Sequence, residues 1–381
     1  MNNIKIEIIS PVHVGDNENK NLSSLSDFIV ENTKIKIIDH KKLENIFSEN
    51  PHIMEDYIKE VKKYSGTSFS INSFLLKHKI AFNEITSEES IPLYGNFEGK
   101  EIHSFISENG KKYLPGSSIK GAIRNALAYI FLNEHLEMIR ALENKHFKPK
   151  SKPDFSYEDR KIFGDNPFND ILKFLQISDS ASFSKNSIAI YSCKNYHLKK
   201  QKLDNNIPIN YECILPDSET KLKIKIKENI SIEKLQISDK SFWNEHLSIP
   251  KIFEALNTLS IKFIEREIGE LSNVKEMQQT IVFYNNLLNK IKNSNNKSGY
   301  FCLGKGTTIM EKTILLALSK EELHNLRNKM KDTKADKNFG WIRDKRTGKK
   351  VLPERLPITR LVYQIQNNLQ AGFGWLKMEK I

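Results

Sequence analysis

The chain has 381 residues, enough for two modest domains or one domain with large insertions. Its 39% hydrophobic and 9% aromatic content excludes a wholly disordered chain. Lys and Arg number 59 against 47 Asp and Glu, a formal charge of +12, which favours a polyanionic partner but also serves solubility alone. Cys193, Cys213 and Cys302 are scattered without a CxxC pair, so neither a disulfide framework nor a cysteine zinc site is signalled. The opening MNNIKIEIISP has no signal-peptide core, and no run approaches the ~20 apolar residues that span a bilayer. The expectation is a cytoplasmic protein with no membrane role.

Ile4, Ile6 and Ile8 alternate with Lys5 and Glu7, the period of a strand that Pro11 ends. Residues 33–38 repeat that alternation, and 41–47 and 53–61 read as short helices. Strand-like pieces over 93–113 are split by Gly95, Gly99 and the Asn109-Gly110 turn signal. In 113-YLPGSSIKGAIRNALAYIFL-132, Pro115-Gly116 marks a turn, and Ser117 or Ser118 is placed to cap a helix. Ile119, Ala122, Ile123, Ala126, Leu127 and Ile130 form its apolar face, with Lys120 and Arg124 neighbours on one side. The polar, basic stretch 145–170 reads as a mobile loop. Strands are expected at 187–191, 211–215 and 221–226, and a second helical region at 252–291. A soft boundary falls near 228–250, where Trp243 sits in polar sequence. No fixed-period repeat is present. The reading is α+β, with an N-terminal domain over 1–235 and a C-terminal one over 236–381.

Several constellations carry possible chemistry. Gly116, Ser117 and Ser118 entering a helix, with Lys120 and Arg124 above them, resemble a phosphate cradle, because first-turn amides lack intrahelical partners. The plain alternative is a turn and cap with two solvated bases. GxxxxGK[ST] is absent, so nucleotide hydrolysis has no support. Gly304-Lys305-Gly306 reads as an anion-binding nest or an ordinary turn. His13 follows a strand, where it could act as a base, contact RNA or be structural; it has no histidine partner close in sequence. Asp16, Asp154, Asp159, Asp165 and Asp179 could hold magnesium only if folding gathered them, and no metal or other cofactor is expected. Trp341, with Arg343, Lys345, Arg346, Lys349 and Lys350 after it, could stack bases and bind backbone, or could anchor a solvated loop.

In chain order, 11-PVHVGD-16, Asp27-Phe28, 113-YLPGSSIKGAIRNAL-127, 176-QISDS-180 and 211-YECILPDS-218 form a recognisable series. It continues with 301-FCLGKGTTIMEKTI-314, 353-PERLPITR-360 and Gly372-Phe373-Gly374-Trp375. Together they resemble the repeat-associated RAMP superfamily of CRISPR systems, most specifically through LPGSSIKGAIRNAL. More narrowly, they resemble the subunit that caps the guide-RNA 3′ side of the type III-A effector (Csm) complex. GKGTTI holds fewer glycines than that superfamily's loop usually does. The resemblance implies RRM-like (ferredoxin-like) domains, usually two, with insertions. It also implies no catalytic residue, crRNA and adjacent backbone subunits as partners, and support of crRNA maturation through host ribonucleases. It puts His13, Gly116, Ser117, Ser118, Lys120, Arg124 and the Gly304–Gly306 loop near RNA or the neighbouring subunit. Two other functions remain open: a metal-independent endoribonuclease using His13 as base, and a protein–protein scaffold without RNA contact.

Overall fold

The computed structural model describes residues 2–15, 21–64, 70–154, 156–204, 206, 208–227, 232–344, 346–365 and 368–381. The alternating isoleucines form β1 (Asn2–Ile8), and Ile4, Ile6 and Ile8 have no exposed surface. That buried face must be covered, and helices cover it. In chain order the layer continues with α1 (Gly116–Glu134), β2 (Leu175–Ile177), β3 (Glu219–Ile226) and α2 (Ile249–Leu271). It closes with α3 (Gln278–Asn293), β4 (Ser298–Cys302) and β5 (Trp375–Lys380). The strands lie in the order β4-β5-β1-β3-β2, each antiparallel to its neighbours. Setting β4 aside, β1-α1-β2-β3-α2-β5 is a βαββαβ unit, the RRM-like (ferredoxin-like) arrangement. The chain is therefore α+β.

On the inner face, Ile119, Ile123 and Leu127 of α1 and Ile252, Phe253 and Leu256 of α2 share one cluster with Ile4, Ile6, Leu222, Ile224 and Met378. At ~25 cal/mol per Å² of apolar surface removed from water, this is the main source of the unit's stability. The outer face is different: Lys221, Lys223 and Lys225 of β3 alternate outward from the buried Leu222 and Ile224.

The second, ten-stranded sheet is mixed, and its central strand, Ile188–His197, pairs with Ile209–Ile214, Thr86–Tyr94 and Thr359–Ile365. The helices His40–Glu49, Pro51–Tyr64 and Ile71–Lys77 cap one end over their own small core of Leu43, Ile53, Phe74 and Leu75. The division at 235/236 falls just before the helix Lys240–His246, and the first sheet draws strands from both sides of it.

Two expectations are corrected. The basic 145–170 stretch contains a helix, Ser156–Phe163, whose Ile162 and Phe163 are buried. Trp243 is no linker tryptophan: it is fully buried among core aromatics, and its Nε1 donates to Ile162 O at 3.0 Å. A pair of apolar residues in polar sequence shows no periodicity, so its burial depends on a partner about eighty residues away in the chain.

Candidate nucleic-acid interface

α1 begins at Gly116, with Pro115 extended at the N-cap (φ −64°, ψ 130°) and no side-chain cap. The serine cap expected from sequence is thus replaced. Ser117 and Ser118 lie inside the first turn, and the Gly116 amide donates to Asp179 Oδ1 at 2.7 Å. A carboxylate of the chain itself occupies the place proposed for a phosphate, with the electrostatics a helix N-terminus prefers. The same motif binds on both sides: Ser180 Oγ accepts from Leu114 N, and Ser178 Oγ from Lys223 N. A Cβ on Gly116 would stand 2.5 Å from Ile177 O. PGSS and QISDS are therefore two halves of one joint between α1 and β2.

Beyond that joint, α1 turns two polar faces outward. Ser118, Gly121 and Asn125 line a groove of about 460 Å³ shared with Gly304, Thr307 and Lys312. Lys120 instead faces Asp159, Arg160 and Lys173, and Arg124 borders both this side and the groove. Arg124 is committed to the first of these. Its guanidinium donates to Asp170 Oδ2 (2.7 Å) and Asp159 Oδ2 (2.9 Å) and lies 3.7 Å from the Phe163 ring centroid. Lys120 is half-buried, and burial lowers its pKa.

The Gly304–Gly306 turn is threaded between two backbones. Gly304 has φ +72°, and its Cβ would lie 2.0 Å from His13 O; a Cβ on Gly306 would lie 1.6 Å from Phe373 O. Only glycine fits either place. The Lys305 amide donates to His13 O at 3.0 Å and Thr308 N to Glu311 Oε2 at 2.8 Å. These two amides are spent internally, so what this loop presents outward includes the exposed Lys305 side chain.

His13 is 1% exposed. Its Nδ1 donates to Glu212 O at 2.7 Å, and its ring packs on Tyr211 at 4.8 Å. Burial pushes its pKa down to about 4, outweighing the hydrogen bond to Glu212; Lys305, His103 and Lys112 add to the depression. The imidazole is neutral at pH 7 and shielded, a poor geometry for a base that must touch a ribose hydroxyl.

At the far end of the chain, Trp341 is 8% exposed and donates through Nε1 to Arg327 O at 2.7 Å, and Phe339 is also buried. The stacking role expected of Trp341 gives way to an anchoring one, because the ring supports Arg327 within the fold. Arg343 and Arg346 are exposed at the hairpin pairing Ile342–Arg343 with Lys350–Val351. Lys350 is tied to Asp332 and Asp336; Lys345 and Asp16 lie outside the described residues. Among the described residues, no three His, Cys, Asp or Glu side chains are grouped to hold a metal, and no helix is long and apolar enough to cross a membrane.

The structure thus gathers His13, Gly304, Lys305 and Gly306 at one place and sets Ser118 across a groove from them. Lys120 faces away, Arg124 borders the groove while its guanidinium is bound to Asp159 and Asp170, and Trp341, Arg343 and Arg346 belong to a separate element. Sequence reasoning missed Asn125, Lys312 and Asp179 as parts of this surface. Asn125 had a readable signal, lying four residues from Gly121 on the polar side of the helix.

Residues 5–309 match the family model of the RAMP superfamily, and the chain belongs to that superfamily. It is also similar to a Methanocaldococcus jannaschii protein described as CRISPR system Cms protein Csm5. The two are 25% identical over 391 residues, 98% of this chain and 88% of that one. In fold it matches a chain of the Csm-crRNA-target RNA ternary complex of a type III-A CRISPR-Cas system. That match has a TM-score of 0.72 and 20% identity, and covers 100% of both chains. The crystal structure of T. onnurineus Csm5 matches at a TM-score of 0.64 and 17% identity, over 98% of this chain and 99% of that one.

Proposed function

We propose that this chain is a guide-RNA-binding subunit of a type III-A CRISPR effector, and that it binds without cutting. In this reading it caps the backbone filament at the crRNA 3′ side and supports crRNA maturation, in the cytoplasm, with host ribonucleases as transient partners. A cap binds a neighbour through one face and offers no equivalent face onward, which ends a head-to-tail filament. The end-to-end likeness to Csm5 proteins carries the proposal. The burial of His13, 1% exposed, weighs against the endoribonuclease alternative, whose base it would have to be.

In this reading Ser117, Ser118, Lys120, Lys305, Arg343 and Arg346 are the residues that touch RNA, a role their outward or partly exposed positions support. His13, Gly116, Gly304, Gly306, Arg124 and Trp341 act by holding that surface in shape. The lysines of β3 add a sequence-independent grip on phosphates. The two-domain division at 235/236 belongs to the same proposal.

The decisive experiment is native purification of the chain from its host, with mass spectrometry of co-purifying proteins and sequencing of bound RNA. Recovery of CRISPR subunits with repeat-spacer RNAs supports the proposal, and a chain that emerges alone and RNA-free under mild salt overturns it. Lys120→Glu is expected to lower RNA retention and flatten its salt dependence by about one phosphate contact, while the melting temperature stays put. Arg124 is the poorer target, because its reversal would break the contacts to Asp159 and Asp170.

A further inference from the structure

Across the glycine loop from the α1 groove lies a second cleft, of about 700 Å³, which size alone makes suitable for a small planar ligand. The two share Phe263, Thr307 and Lys312 in their linings. Phe263, Tyr284, Phe339 and Phe373 contribute to the walls of the larger cleft, while Lys305 and Lys312 line it and are exposed.

One group in it is left open. Tyr284 is only 3% exposed, and its hydroxyl has no hydrogen-bond partner among the described residues. The side-chain atoms sealed off without a partner among the described residues belong to Asn72, His78, Asn210 and Arg266, so the Tyr284 hydroxyl instead opens into the cleft, where it can donate to a ligand atom. Burial holds the phenol well above its ordinary pKa, so it remains a donor. The acidic neighbour does not repel an anion: both carboxylate oxygens of Glu267 accept from Arg360, at 2.6 and 2.7 Å.

We propose that this cleft receives one unstacked nucleotide of the bound RNA, its base beside the Tyr284 hydroxyl and its flanking phosphates on Lys305 and Lys312. The Tyr284 hydroxyl donates to an acceptor on the base edge. The rings of Phe263, Tyr284, Phe339 and Phe373 are only 1–7% exposed, so they bound the cleft without offering a face to stack on, and the site positions the strand through the two lysines and the hydroxyl. This inference rests on the RNA-binding reading and adds to it a defined place where the strand leaves its stack.

The test uses the full-length chain with single-stranded RNA carrying 4-thiouridine, photo-crosslinked and mapped by mass spectrometry. Crosslinks on peptides bearing Phe263, Tyr284 or Phe339 are expected. Tyr284→Phe keeps the ring and should weaken RNA binding about fivefold; Lys312→Ala, at an exposed position, should weaken it too. UMP and AMP titrated separately should bind at least about a hundredfold more weakly than the RNA, as expected when most of the affinity comes from several phosphate contacts. Crosslinks confined to α1 and the outer sheet face, with Tyr284→Phe binding like the parent, would overturn the inference and leave the RNA reading standing. Mononucleotides binding as tightly as RNA would replace the strand by a free nucleotide as occupant. Failure to bind RNA at all would overturn both readings.

Discussion

Gly306 and Gly121 show how differently two glycines of one surface are used. A Cβ on Gly306 would sit 1.6 Å from a backbone oxygen, whereas one on Gly121 meets nothing within 4 Å. Gly306→Ala must therefore displace backbone, and it is expected to cost about 2–4 kcal/mol. Gly121→Ala gains helix propensity on an exposed face and is expected to stabilise by about 0.5–1 kcal/mol. Denaturant melts of the two variants check both numbers. If Gly121→Ala also weakens RNA binding, close approach of a strand to α1 is the reason, because the fold itself has room.

At the scale of elements, α2 and the strand Thr359–Ile365 are locked by a buried pair, Arg360 and Glu267, whose side chains are 3% and 1% exposed. Arg360 also donates to the carbonyls of Pro357 and Thr359. Arg360→Ala would strand the Glu267 carboxylate and is expected to cost about 3–5 kcal/mol; Arg360→Met combined with Glu267→Leu should cost much less. Equilibrium unfolding of both variants separates the two cases. Elements such as β1, β3 and α1 were legible in the sequence because each carries its own period: two for the isoleucines and lysines, three and four for α1. The pairing of Arg360 with Glu267 was not, and neither was that of Gly116 with Asp179. No local pattern tells a charged residue that its partner lies far along the chain. For the same reason the glycine loop could be located but its main task, a close passage between the His13 and Phe373 backbones, could not. For Trp341 the sequence left stacking and anchoring open, because an aromatic among basic residues looks alike whether its ring faces solvent or supports an arginine from within.

For the whole molecule, two buried groups set opposing slopes in the pH dependence of stability. His13 titrates near 4 in the fold, against an ordinary 6.5. The unfolded chain therefore takes up its proton first, and stability falls as pH drops from about 6.5 to about 4. The limit of that loss is about 3 kcal/mol. Glu311 behaves in reverse. Burial pushes its pKa up to about 8 from 4.5, although the hydrogen bond from Thr308 opposes this. Its contribution is present in full below about 4.5 and is lost as pH rises towards about 8. Of this pair, only Glu311 titrates differently in the two states between pH 6.5 and 8, so stability should decline there by up to about 2 kcal/mol. Glu311→Gln keeps an acceptor for Thr308 and should abolish that decline, while His13→Gln should flatten the acid limb. Unfolding curves across pH 4–8 for parent and variants decide whether these two groups govern the profile.

The central sheet also has a temporal side. β1 pairs Ile6 with Thr220 on one edge and with Met378 on the other. On a ribosome adding about 5–20 residues per second, the first strand emerges roughly 20 to 70 s before the last one that must lie against it. Throughout that interval an isoleucine-rich strand has an open edge, the kind of template on which nascent chains pair wrongly. Production of this chain should therefore depend on translation speed and chaperone supply more than its final stability suggests, with slower growth or co-expressed holdases raising the soluble yield.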